Sequence, residues 1–211
     1  HPHTRRAPQE ACPPGGARGR EKAVLVEFLQ RVASGGLVDL TALCAVDGVA
    51  VWSLYVDVIV LEHDGNLTDA SLLGMMRALS RVRLPKVQLA PSDESADAAP
   101  APPPPDESGP RLLVVAEGAV PVCLAAPLYP VSFGWLCGAL VLDPNAEEEA
   151  LLDTSLTLLL DASGELRLVH KPGGAPLPEG AIEAGLAAAR RRLPDLMPLL
   201  QNDPYKAAMG A

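Results

Sequence analysis

The sequence lacks a cysteine framework. Its four cysteines (Cys12, Cys44, Cys123, Cys137) form no C-x-x-C pair, so neither a zinc ribbon nor a disulfide scaffold is written into it. No apolar run approaches the roughly 20 residues of a membrane span, and no signal-peptide pattern follows His1, which is not an initiator methionine. A reduced nuclear or cytoplasmic setting and no membrane partner are therefore expected. Positive charge is also scarce: 17 Lys and Arg stand against 26 Asp and Glu, a net charge of −9. Affinity for a phosphate backbone comes from a Lys/Arg surplus, so the balance argues against a chain that grips nucleic acid alone, and any RNA role must be shared with partners. No internal repeat of solenoid length is present.

What is present is enough apolar material for one core: 48% of the 211 residues are hydrophobic and the mean hydropathy is +0.17. Many of the 22 prolines and 18 glycines gather in two stretches, His1–Gly19 and Pro91–Pro110. This composition predicts a flexible leader over 1–19, one domain over 20–200 interrupted by a mobile Pro/Ala/acidic insert at 91–110, and a tail over 201–211.

Val24, Leu25, Phe28, Leu29 and Val32 recur at helical spacing and predict a helix over Arg20–Ser34, stopped by Gly35-Gly36. Asp47-Gly48 predicts a hairpin, and the β-branched run Ala50–Leu61 predicts a long buried strand with Trp52 and Tyr55 as core or interface residues. Asp64-Gly65-Asn66 ends that strand, and Leu72, Leu73, Met76 and Leu79 predict a second helix over Asn66–Leu79. Short strands are expected at Lys86–Leu89, Arg111–Val115, Val120–Leu124, Val131–Cys137, Ala139–Leu142, Ser155–Leu160 and Glu165–Val169. A helix over Pro178–Leu193, with Ile182, Leu186 and Ala189 on one face, ends in Arg190-Arg191-Arg192, where positive charge suits a helix C-terminus. Mixed strands and helices make the fold class α+β.

Four ordered segments carry a resemblance. They are Leu54–Ala70 with its Asp64-Gly65-Asn66-Leu67-Thr68-Asp69 core, Arg83–Val87, Asp143–Glu149 and His170-Lys171-Pro172-Gly173-Gly174. Over about Arg20–Leu200 the chain resembles the RNase PH-like subunits of the RNA exosome. The resemblance implies a mixed sheet covered by helices, and several strands of that sheet that precede Arg20 in the family and are missing here. It further implies a hetero-oligomeric ring of RNase PH-like subunits with cap subunits, RNA bound through the assembly, no cofactor, and a nuclear, nucleolar and cytoplasmic location.

Phosphorolysis needs an inorganic phosphate held in line with the RNA 3′ linkage, which calls for cations, backbone N–H groups and a general acid. In active relatives the turn before the second helix reads Asp-Gly-Gly-Thr-Arg-Ser, and its Arg and Ser hold the phosphate. Here Thr68 and Asp69 stand in their places, so Asp64, Gly65, Asn66, Thr68 and Asp69 form a degenerate phosphate site, with no catalytic residue and no metal. The competing reading of the turn is structural: Asn66 as N-cap and Asp69 as its capping-box partner. The catalytic acid of active relatives falls near Ser155, two residues beyond Asp153, and Glu147-Glu148-Glu149 read as a solvated first helical turn or a subunit contact. The expected function is thus a structural ring subunit; the alternative is an active phosphate-dependent 3′-to-5′ exoribonuclease.

Other groups carry weaker signals. Arg77, Arg81, Arg83 and Lys86 form the best basic group and are candidate RNA contacts, against the plainer reading of a solvated helix face. Glu62-His63-Asp64 reads as a polar turn rather than a metal site. His1 and His3 would bind metal only adventitiously. Ser132, Ser163 and His170 lack the neighbours of a nucleophile.

Overall fold

A computed structural model of the chain describes residues 17–89 and 112–201. The insert at 91–110 and most of the leader and tail lie outside the described residues. Helix α1 (Ala17–Val32) starts inside the expected leader and closes in a π-type turn, Ala33–Leu37, where Gly36 takes φ 93°. A hairpin follows, β1 (Cys44–Val46) with β2 (Ala50–Val51), turned by Gly48 at φ 66°. Helix α2 (Leu67–Leu79) leads to β3 (Arg83–Leu89) and β4 (Leu112–Pro121), an antiparallel pair. Val120, expected to open a separate strand, is instead the last residue but one of β4, paired to Leu84. Then come β5 (Tyr129–Leu136), β6 (Ala139–Leu142), the single turn α3 (Ala146–Glu149), β7 (Thr154–Leu160), β8 (Leu166–His170) and α4 (Ala181–Gln201).

The central sheet has the order β6-β5-β7-β8, each neighbour antiparallel. Strand β7 lies inside it, and successive side chains of a strand face opposite ways. Leu156, Leu158 and Leu160 join Val131, Phe133 and Ala189 in a core under α4, while Leu159 joins Phe28, Val32, Leu72 and Met76 under α1 and α2. All four leucines are at most 2% exposed, so β7 is covered on both faces.

Helix α4 departs from expectation in two ways. It does not stop after the arginines but continues through Pro194 and Pro198 to Gln201, because Leu193 is buried, Leu196 packs on the sheet core and Leu200 reaches the α1/α2 core. That burial outweighs the backbone bonds the two prolines forgo. The buried row is also rotated: Ile182 is 39% exposed, and Ala181, Gly185, Ala189 and Leu193 face inward. A Cβ on Gly185 would sit 3.5 Å from Leu158 and 3.6 Å from Phe133, so small residues at this spacing let the helix approach the sheet closely.

The long buried strand predicted over Ala50–Leu61 is the clearest correction. Only Ala50 and Val51 pair, and residues 52–60 have no regular structure. Leu54 packs against the α1/α2 core and Val56, Val58 and Val60 are 41–47% exposed, whereas Tyr55, Ile59 and Leu61 are 79–94% exposed. The period-2 alternation of a strand is therefore retained without a ladder. A β-branched run specifies a conformational preference, not the partner that would bury it. Tyr55 is accordingly not a core residue, and Trp52 is half-buried.

The β7–β8 connection is fastened by Asp161. Its carboxylate accepts from Ser163 N (2.8 Å), Ser163 Oγ (2.6 Å), Glu165 N (3.0 Å) and Arg167 Nε (2.7 Å). These donors, Ser163 first, hold its pKa at about 2, below the ordinary 3.8. Donors that favour the ionised form stabilise the fold above the unfolded-state value, and the contribution fades as pH falls through the folded value. Asp161→Asn is therefore expected to lower stability at pH 7 and to flatten its decline between pH 4 and about 2, as measured by urea unfolding across that window.

Candidate functional site: the turn before helix α2

Gly65 and Asn66 enter α2 through left-handed backbone, φ 89° and 46°. A Cβ on Gly65 would lie 2.5 Å from both Asn145 C and Pro144 O, so two of the sequence segments that carry the resemblance touch backbone to backbone here. Only glycine fits both the conformation and the contact. Asn66 then caps the helix, its side-chain oxygen accepting from Asp69 N at 3.4 Å. Its Nδ2 donates to Asp143 Oδ1 at 2.5 Å and to Asp69 Oδ2 at 3.0 Å, and its backbone N–H donates to Glu149 Oε1 at 2.8 Å.

Asp69 is not the capping-box partner, since the N-cap N–H has gone to Glu149. Nor does its carboxylate stand free at the helix end. It turns into the sheet, where Oδ2 accepts from Ser132 N at 2.9 Å and Oδ1 from Ser132 Oγ at 2.6 Å. The Ser132 hydroxyl also meets Thr157 Oγ1 at 2.8 Å, so one carboxylate joins α2 to β5 and β7. Burial pushes the Asp69 pKa up, while the Ser132 and Asn66 donors pull it down and Asp143 adds a smaller upward push. Reciprocal capping does occur, but at α3: Asn145 accepts from Glu148 N and Glu148 accepts from Asn145 N, both at 2.9 Å. The glutamate run is thus a helical first turn, with Glu149 bracing the Asn66 turn.

Asn66, Thr68 and Ser132 line an open groove of about 900 Å³ that also takes in Asp153, Ser155 and Gly174. The turn read as a degenerate phosphate site and both candidate positions for the acid therefore share one space. The Pro172–Gly174 loop is held at its edge, with Thr154 Oγ1 donating to Gly173 O at 3.1 Å and Lys171 Nζ to Gly173 O at 2.6 Å.

None of the basic group lines this groove. Arg77 lies in the last turn of α2, half-buried, and donates to Leu200 O of α4 at 2.6 Å, which makes it a tie between helices. Arg81 follows in the turn, and Arg83 and Lys86 lie on β3, exposed. Among the described residues no group of three or more His, Cys, Asp or Glu is placed to hold a metal ion, and no buried side-chain N or O lacks a partner. His63 Nδ1 accepts from Gly65 N at 3.1 Å, which fits a turn residue. His170 stacks 4.4 Å from the Phe28 ring; burial, then Arg31, lowers its pKa.

The residues that the sequence did not reveal as a site are Ser132, Thr157, Asp143 and Glu149. Each lies 63 or more positions from the turn it serves. The one available signal was the recurrence of Asp143–Glu149 beside Asp64–Asp69 among the segments of the resemblance.

Residues 15–85 match the sequence pattern of the 3′ exoribonuclease family, domain 1, and residues 126–192 that of domain 2. The exosome complex component Rrp42 of Methanopyrus kandleri is 31% identical over 169 residues, 78% of this chain and 57% of that protein. The chain thus spans a little over half the length of this curated relative. Among solved structures, an archaeal exosome core chain superposes with a TM-score of 0.64 at 23% identity, over 89% of this chain and 66% of the other. A chain of the Archaeoglobus fulgidus exosome with RNA bound to the active site gives 0.61 at 24% identity, over 90% and 65%. At these identities the superpositions speak for the fold, which is RNase PH-like and α+β.

Proposed function

Because the chain belongs to the 3′ exoribonuclease family, has an RNase PH-like fold and is homologous to archaeal exosome components of the Rrp42 type, we propose that it is a non-catalytic subunit of an exosome core ring. It supplies wall and contacts for 3′-to-5′ RNA processing beside other RNase PH-like subunits and cap subunits. Within that class the His170–Gly174 segment favours the subunit called ribosomal RNA-processing protein forty-three, or exosome component eight, at work in the nucleus, nucleolus and cytoplasm.

The observation that carries the reading is the engagement of Asp69 with Ser132 and Asn66. The side chain at the position of a phosphate ligand is an anion already tied to the sheet, and Thr68 beside it brings no positive charge. Net charge of −9 supports RNA contact through an assembly rather than through this chain alone. Arg81 in the turn after α2 and Arg83 and Lys86 on β3, all exposed, remain the candidate contacts, while Arg77 has a structural bond to serve. Asp153 and Thr68 in one groove favour the second reading, an active phosphate-dependent exoribonuclease.

Expression with and without RNase PH-like neighbours, followed by light scattering and RNA titration at two salt concentrations, tests the assembly. A defined hetero-oligomer with salt-sensitive RNA affinity, and no tight binding by the chain alone, is expected. A monodisperse monomer that binds RNA tightly would contradict it.

A further inference from the structure

Three donors converge on the Asp69 carboxylate: Ser132 N at 2.9 Å, Ser132 Oγ at 2.6 Å and Asn66 Nδ2 at 3.0 Å. The cradle is built rather than incidental. Ser132 is 9% exposed, its main chain is fixed in β5 between β6 and β7, and Thr157 orients its hydroxyl from the next strand. Asn66 is held from the other side by Asp143 and Glu149. Asn66 and Ser132 also border both the large groove and a second hollow of about 240 Å³, which Asp69 itself lines. The carboxylate thus stands between two spaces, and none of its donors needs it to be covalently attached.

We propose that Ser132 and Asn66 form an oxyanion site that the chain fills with its own side chain. Asp69 is an internal ligand that keeps free oxyanions out. Loss of the carboxylate leaves these three preset donors, from two residues, facing a vacancy open to solvent, and a small carboxylate of the same charge and planarity, formate, takes its place. Asp69→Gly leaves the most room for it and Asp69→Ala less. Asp69→Asn leaves none, because the amide fills the space and turns an N–H toward at least one donor. The proposal goes beyond the scaffold reading and does not depend on it: an RNA assay reports on catalysis, whereas the readout here is anion binding by the folded chain.

The test is thermal unfolding of the 211-residue chain and the three variants against sodium formate, with sodium chloride at matched ionic strength, and inorganic phosphate added to the native chain. Asp69→Gly is expected to show a saturable Tm rise specific to formate, about 3–6 °C at about ten times its Kd. Asp69→Ala should show a smaller one. The native chain should respond neither to formate nor to phosphate, and Asp69→Asn should not respond to formate. Equal shifts in chloride, a formate or phosphate response in the native chain, or no response in Gly and Ala would each overturn the proposal. So would Gly and Ala variants that stay unfolded in excess formate.

Discussion

Gly65→Ala is expected to cost about 3 kcal/mol or more of folding stability. Two causes add: a Cβ at φ 89° is strained, typically by about 1–2 kcal/mol, and it meets main-chain atoms of Pro144 and Asn145 at 2.5 Å. Neither side can yield cheaply, since the approach brings Asn66 to Asp143 and Glu149. Urea unfolding should show a lower midpoint with an unchanged slope. Gly35→Ala is the control, because its Cβ meets nothing within 4 Å and the change should stay within about 1 kcal/mol.

Leu158→Ala is expected to cost about 3–5 kcal/mol, the range for a leucine removed from a core that cannot collapse. Leu158 is 0% exposed on the inner strand β7, and Gly185 brings α4 close over it. Val169→Ala on the edge strand β8, where Val169 is 43% exposed, should cost under about 1 kcal/mol. Equal losses at the two positions would contradict the placement of β7 inside the sheet.

How much of this was legible in the sequence depended on distance along the chain. Helices α1 and α2 followed from periodicity, because neighbours three or four apart decide them, and strand β7 from a short continuous apolar run. The Asp47-Gly48 hairpin followed from turn chemistry. What failed was decided by remote contacts: α4 runs on through two prolines because Leu196 and Leu200 find cores elsewhere, and residues 52–60 form no ladder because pairing needs a second strand. The site divides in the same way. The turn, its Asn66 cap and the substitutions at Thr68 and Asp69 were readable from a short motif. That Asp69 faces Ser132 was not, and this makes its carboxylate an anion bound by the fold itself.

The central claim, that the chain does no phosphorolysis, is tested most directly by incubating it with magnesium, inorganic phosphate and single-stranded RNA and measuring nucleoside diphosphate release. No release is expected, nor from the Thr68→Arg/Asp69→Ser double variant, since the resemblance puts the acid of active relatives near Ser155, a position without a carboxylate here. Phosphate-dependent shortening of the RNA by the native chain, abolished by Asp153→Asn, would contradict the account and make it an enzyme.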